Sequence, residues 1–490
     1  MTSVLLVAPM PVGRQRTGPA IRCWELARVL SADAQVTLLV PEEEHPSHPA
    51  FAVLGPDEAD LDSLLERYQI VVVQGPAIRK HPQLAEALAA GGIHLVVDLY
   101  DPITLEILGT DRAREMGRWL YVEYEALLNE QLRLGDFFLC ASERQRDYWL
   151  GALAAMGRIN PDTYDGSDLR HLIDVVPFGL PAQPPQAGGP VLRRTLPSIA
   201  PSDRLILWGG GLWEWLDALT PVRALEQVVA HYPNAVLVFF EQQQQQLTVI
   251  EQAKHLAAEM GLLGRQVVFA DWLPPEEWEA CLLEADIGLS FHPASLETHF
   301  AFRTRLLDYV WAGLPVVTAA GDVLSDLVLT HGLGHVVEPG DAEALASALI
   351  ALLNEPDARG SRREAFRQVA GQFQWERVSQ PLRRFCQQPW RAGDAKSFGE
   401  RWRTAQGDRA LSDAAHGERR LADAQARLRA LAAEHAQAIG RADRLQSEVE
   451  GVTEQLRQKE AQLQDVMDGR VMRLMSGARR AFRQLGGLRS

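Results

Sequence analysis

Short aliphatic runs recur along most of this chain, each followed by a loop and an amphipathic stretch, and that alternation constrains the fold most. Val4–Ala8, Gln35–Val40, Ile70–Gln74, Ile93–Asp98 and Phe137–Ala141 read as buried strands with helical periodicity between them. Strands separated by helices imply parallel pairing, because a parallel pair needs a long crossover connection. A second series runs through Leu205–Trp208, Val236–Phe240, Val267–Ala270, Ile287–Phe291, Val316–Thr318 and Gly334–Glu338. Between them, 180–203 is rich in Pro and Gly with little periodicity, which reads as a linker. The expected body is α/β, with one domain over 1–179 and another over 204–388.

Composition narrows the function classes. A chain of 490 residues is long enough for two or three domains, each with its own core. Its net charge of −15 argues against nucleic acid as a partner. Cys23, Cys140, Cys281 and Cys386 stand apart, which suits a reducing cytoplasm and offers no zinc site. His331 and His335 have no metal-ligand spacing either. No run approaches the ~20 apolar residues of a membrane span. The opening residues MTSVLLVAPMP read as a first strand, since they lack the basic start of a signal peptide. Gln242–Gln246 is low-complexity and suggests no function.

Ser290–Val317 is the stretch most suited to a ligand. Its buried strand precedes a loop with His292, Glu297 and His299, and a helix is expected over about Phe300–Ala312. Arg303 and Arg305 open that helix, Asp308 lies further along, and Gly313 ends it before the strand Leu314–Val317. Ligands of parallel sheets bind at the carboxyl ends of strands, and cations at a helix N-terminus suit phosphate. Gly209-Gly210-Gly211, after the first strand of the second series, lets backbone approach a pyrophosphate. Gly13 and Gly18, with Arg14 and Arg16, form a similar loop after the first strand of the chain.

Residues 308–317, Asp-Tyr-Val-Trp-Ala-Gly-Leu-Pro-Val-Val, resemble the donor-site segment of GT-B glycosyltransferases, above all the retaining, family 4-like enzymes that build bacterial polysaccharides. Ile173–Gly179 resembles the strand and turn closing that family's first domain, and Gln372–Glu376 its closing helix, so the resemblance covers about 1–388. The family carries two glutamates separated by seven residues; Asp308 matches the second by type, and Glu297, separated from it by ten residues, is the nearest acid to the first. The family's Arg and Lys after the glycine loop are absent from Gly211–Asp217.

The resemblance implies two facing Rossmann-like domains with a nucleoside diphosphate sugar between them, and no metal or other cofactor. It implies transfer of a hexose or deoxyhexose, with retention, to a hydroxyl of a growing or lipid-linked glycan. Glu297 would orient the transferred sugar, Asp308 would grip the ribose, and Trp272 would stack on the base. Arg303, Arg305 and the Gly209–Gly211 amides would stabilise the leaving diphosphate, with Gly18 over the donor. Many relatives have a His-Asp pair near Asp98-Leu99-Tyr100-Asp101; Tyr100 takes the His position and Asp101 keeps the Asp, on the acceptor side with Asp98. Blander readings stand beside these. Asp101 could cap the helix after Pro102, Arg305 could pair with Asp308 on a solvated face, and Trp272 could be packing. A catalytically silent GT-B scaffold is the rival for the whole chain; an epimerase has no distinguishing feature.

The C-terminal portion differs in kind. Residues 389–406 read as a second linker, and 407–467 as a coiled coil. Leu421, Leu428, His435, Ala442, Val449, Leu456 and Leu463 repeat every seven residues, with Ala424, Leu431, Ala438, Leu445, Val452, Lys459 and Val466 offset by three. Such a stripe predicts a homo-oligomer. Residues 468–490 read as a basic amphipathic helix with Val471, Leu474, Met475, Ala478, Phe482 and Leu485 on one face. Arg473, Arg479, Arg480 and Arg483 on the other predict an anionic membrane partner. The expected place is the cytoplasm, peripheral to the inner face of the plasma membrane.

Overall fold

The computed structural model describes residues 1–13, 17–58, 65–75, 87–88, 92–108, 118–241 and 248–486. Arg14, Arg16 and the Gln242–Gln246 run lie outside the described residues, as do the side chains of Phe482 and Leu485. The chain divides into a unit spanning Met1–Ala415 and a unit spanning His416–Ser490.

The first unit contains two parallel sheets. Its seven-stranded sheet comprises β1 (Ser3–Val7), β2 (Gln35–Leu39), β3 (Ala52–Leu54), β4 (Ile70–Gln74), β5 (His94–Asp98), β6 (Phe137–Cys140) and β7 (Ile173–Val175). The order is β3-β2-β1-β4-β5-β6-β7, and β3 is the strand that sequence reading missed. A six-stranded sheet holds β8 (Arg204–Leu207), β9 (Ala235–Glu241), β10 (Val267–Asp271), β11 (Ile287–Ser290), β12 (Val316–Ala319) and β13 (Gly334–Val337), ordered β10-β9-β8-β11-β12-β13. β1 pairs in parallel with β2 and β4, and β8 with β9 and β11. The strand order therefore reverses beside β1 in one sheet and beside β8 in the other, which opens a crevice at those strands' carboxyl ends.

Two glycines fix how closely these layers pack. A Cβ on Gly288 of β11 would lie 2.5 Å from the Tyr309 ring, and one on Gly179 would lie 2.3 Å from the Trp375 ring. Trp375 belongs to the predicted closing segment, and its N–H donates to Leu180 O at 3.1 Å.

The two expected linkers are more ordered than their composition implies. In 180–203 a short helix, Leu192–Thr195, starts on the Glu284 carboxylate, which accepts from the Val191, Leu192 and Arg193 N–H groups at 2.7, 2.7 and 3.0 Å. An acid at a helix N-terminus satisfies donors that have no partner within the helix. Residues 390–394 are packed against the elements of the first sheet. Asp394 makes a buried pair with Arg158 at 2.7 Å, Arg391 Nη1 reaches Ile93 O at 2.6 Å, and Trp390 Nε1 donates to His171 O at 2.7 Å. Charged side chains that bind the first domain stand where the sequence offered no periodicity.

The final helix runs over Phe398–Gly486, starting before the expected 407 and continuing past 467 without a break. In the second unit its heptad residues Leu421, Leu428, Leu431, Leu445, Val449, Val452, Leu456 and Leu463 are all exposed. Val471, Leu474 and Met475 are exposed as well. Among the described residues no helix is long and apolar enough to cross a membrane.

Candidate active site between the two sheets

A cavity of about 310 Å³ lies between the halves of the first unit. Gly18 lines it from one side, and Gly209, Gly210, Gly211, Trp272, Arg305 and Asp308 line it from the other. All the residues expected to bind the donor are thus brought to one place. Each follows the carboxyl end of a strand, so the parallel topology collects positions nearly 300 apart in the chain. A Cβ on Gly18 would come 3.9 Å from Thr304 Oγ1, so the helix starting at Gly18 faces the helix Thr304–Trp311.

Tyr309 organises the glycine loop. Its hydroxyl accepts the Gly209 N–H at 2.6 Å and lies within donating distance of Leu207 O (3.0 Å) and Leu289 O (2.9 Å). One phenol thereby ties β8 to β11 at the point of reversal. Gly210 has φ +100°, a conformation that side chains other than hydrogen rarely adopt. Arg305 Nη2 donates to Gly211 O at 3.0 Å, and its guanidinium lies 4.9 Å from the Trp208 ring centroid. Its Nη1 is buried without a hydrogen-bond partner.

The charges here are not neutralised by the protein. Burial pushes Arg305 down to about 10, with Arg303 adding repulsion and Tyr309 and Asp308 opposing it. Burial likewise raises the Asp308 carboxyl to about 7, against the Trp278 indole N–H, which donates to it at 3.2 Å, and the charge of Arg305. Among the described residues no ion pair joins Arg305 to Asp308, so the solvated i,i+3 pair is not formed.

The expected helix starts late, as Thr304–Trp311, and a separate short helix, Leu296–Phe300, stands where a loop was expected, with Ala301–Arg303 between them. Arg303 precedes the second helix, where the sequence reading placed it inside. The break has a physical reason: residues six apart on one continuous helix point to different faces. Broken, the chain brings Arg303 Nη2 to Glu297 Oε2 at 2.5 Å, and both side chains are almost wholly buried. Glu297 Oε1 and Arg303 Nε remain without partners. His292 is fully buried against Asp322, at 2.8 Å, and His299 is exposed.

On the opposite side, Asp98 and Tyr100 turn inward. Asp98 holds Arg22 through two bonds, Nε at 2.6 Å and Nη2 at 3.0 Å, and Arg22 also reaches Pro177 O at 3.0 Å. The Arg22 guanidinium sits 4.8 Å from the Tyr100 ring centroid. Neither residue lines the cavity, and the residues expected to be catalytic, Asp101, Glu297 and Arg303, do not line it either. Burial raises the Asp101 carboxyl to about 7, helped by Asp98 and Glu297 and opposed by Arg22 and Arg303. Glu106, one turn along the helix Ile103–Leu108, is raised by burial and by Asp101 and Glu297. Gln145 Nε2 lies 2.9 Å from both Tyr100 O and Phe300 O, tying the two sides together.

Sequence reasoning missed Arg22, Glu106, Tyr309, Trp278 and Trp213. Tyr309 follows Asp308 directly and was readable as part of the same motif. An arginine beside the apolar positions of the first helix was the available sign for Arg22. The indoles carried no signal beyond their type.

Residues 203–355 match the family model described as glycosyl transferases group 1. No curated protein matches the chain. Among solved structures, trehalose-6-phosphate synthase OtsA superposes with a TM-score of 0.58 at 14% identity, over 80% of this chain and 100% of that one. Anabaena Alr3699/HepE, solved in complex with UDP-glucose, gives 0.56 at 15%, over 78% and 98%. Sucrose-phosphate synthase from Thermosynechococcus elongatus gives 0.53 at 16%, over 79% and 99%. The chain therefore has the GT-B fold, and its second sheet, with the glycine loop, Arg305 and Asp308, lies in a segment that matches the glycosyl transferases group 1.

Proposed function

We propose that the protein is a nucleotide-sugar-dependent glycosyltransferase that moves a hexose or deoxyhexose to a hydroxyl of a growing cell-surface glycan. One observation carries this reading: Arg305 and Asp308, both half-buried and neither paired with the other, flank a glycine loop in a single cavity between the sheets. A diphosphate against Arg305 and the Gly210 and Gly211 amides would supply the missing counter-charge. Ribose hydroxyls donating to Asp308 would favour its ionised form, and Trp272 would stack on the base. Fixed donors aimed at the leaving diphosphate stabilise the charge that develops on it. Glu297, held by Arg303, would orient the transferred sugar, and Asp101 would meet the acceptor hydroxyl. Retention and independence of metal follow from the family resemblance. Calorimetry with UDP-, GDP- and dTDP-sugars tests the donor. An NMR measurement of product anomeric configuration, with and without chelator, tests the rest. Absence of binding for every donor would overturn the reading.

The long helix belongs to the same proposal. Its exposed heptad stripe is costly to leave in water, at about 25 cal/mol per Å². We read 407–467 as a homo-oligomeric coiled coil and 468–490 as a tail for an anionic membrane surface, which gains when copies bring tails together. The full chain is expected to be oligomeric by light scattering and to sediment with anionic vesicles, released by salt. A chain cut after 415 is expected to be a monomer that still binds donor. A monomeric full chain would refute the coiled coil.

A further inference from the structure

We propose that Trp213, backed by Trp215, is the platform on which the transferred sugar ring stacks; this rests on the cavity being the donor site. Trp213 and Trp215 are half-buried, with ring planes 2° apart and centroids separated by 5.2 Å. Trp213 lines the cavity, and Trp215 does not. Trp213 is thus the member of this stacked pair that meets the cavity. A Cβ on Gly211 would approach Trp213 Nε1 to 3.2 Å, so the ring stands directly beside the glycine loop.

The topology says which part of a donor would meet it. Trp272 follows β10 at the sheet's edge, two strands from β8, or roughly 10 Å at the usual strand spacing. β11, which leads to Glu297, lies on the opposite side of β8. The Gly211–Asp217 turn crosses toward β11: Leu216 N–H donates to Trp213 O at 2.9 Å, and Asp217 N–H donates to Phe291 O at 3.1 Å. A donor with its base at Trp272 and its diphosphate at Arg305 would place its sugar on the β11 side of the cavity, beside Trp213.

The chemistry agrees with that placement. An indole face is electron-rich and apolar, and it attracts the weakly positive C–H face of a pyranose. It offers a diphosphate nothing comparable. The platform selects an uncharged hexose or deoxyhexose.

The test is calorimetry on the full chain with paired probes: UDP and UDP-glucose, GDP and GDP-mannose, dTDP and dTDP-glucose. For the pair that the wild type binds, Trp213→Ala is expected to weaken the nucleotide sugar roughly tenfold while the bare nucleotide changes little. Trp213→Phe keeps a ring and is expected to retain most of the affinity, which guards against a folding defect in the alanine variant. Trp215→Ala is expected to show a smaller loss with the same selectivity. Equal losses for sugar nucleotide and nucleotide, or no loss for either, would overturn the platform. A wild type that binds none of the probes would overturn the donor-site reading, and the platform with it.

Discussion

Arg22 and Arg305 each lie near a carboxylate, one in each half, and they differ in whether the protein satisfies them. Arg22 is fully buried and bonded twice to Asp98 and once to a backbone carbonyl. Burial works against its charge, but Asp98 outweighs it and holds the guanidinium pKa up. Arg305 has one bond, to Gly211 O, and an idle Nη1; its pKa falls, and that of Asp308 rises. A buried pair that satisfies itself is structure, and half-buried charges left apart are places for a ligand.

The largest effect expected from this contrast is on folding. Arg22→Met leaves Asp98 buried and unpaired and is expected to cost about 3–5 kcal/mol in urea unfolding. Replacing Asp98 with Leu in the same chain is expected to recover much of it. A single variant as stable as wild type would remove the structural assignment.

Arg305→Ala is expected to do the reverse. Stability changes little, while donor binding weakens by about 1.5–3 kcal/mol, the worth of a charged hydrogen bond. Asp308→Asn is expected to weaken the donor too. Calorimetry showing wild-type affinity in both would erase the difference between the two arginines.

Gly288→Ala sharpens the contrast through Tyr309, which no charge explains. The added methyl meets the ring at 2.5 Å, so Tyr309 must shift and release Gly209. Overpacking of this kind costs roughly 1–3 kcal/mol. Weaker donor binding should accompany the lower melting temperature; a loss of stability alone would separate Tyr309 from the site.

The last effect is on pH dependence. The folded chain keeps the Asp308 proton up to about 7, whereas the unfolded chain releases it near the ordinary aspartate value of about 4. Across that window the unfolded state binds fewer protons, so this group lowers stability as pH rises. Asp308→Asn is expected to flatten the slope by at most about 1.4 kcal/mol per pH unit. Parallel stability curves for the two proteins would argue against the raised value.

Much of this molecule was legible in the residues themselves. Strand positions, the two-sheet division and the glycine loop are local properties of hydrophobic periodicity and backbone freedom, which neighbours in sequence determine. Motif spacing located Asp308 and Arg305 for the same reason: they sit at fixed offsets from a helix start and a glycine stop. The contacts of residues 389–397 had no sign in the sequence, because a stretch without a period does not show that Asp394 and Arg391 reach the first sheet's residues.

What the sequence alone determined, then, is the alternation, its parallel pairing and the strand ends where a ligand could lie. Tertiary structure decided which charges are engaged. Arg22 and Asp98 are 76 positions apart and meet because β5 and the first helix pack together. Glu297 and Arg303 meet because a helix breaks, and Tyr309 reaches Gly209 because Gly288 leaves room for its ring. Partners of this kind are set by distance in space, which periodicity along the chain does not encode.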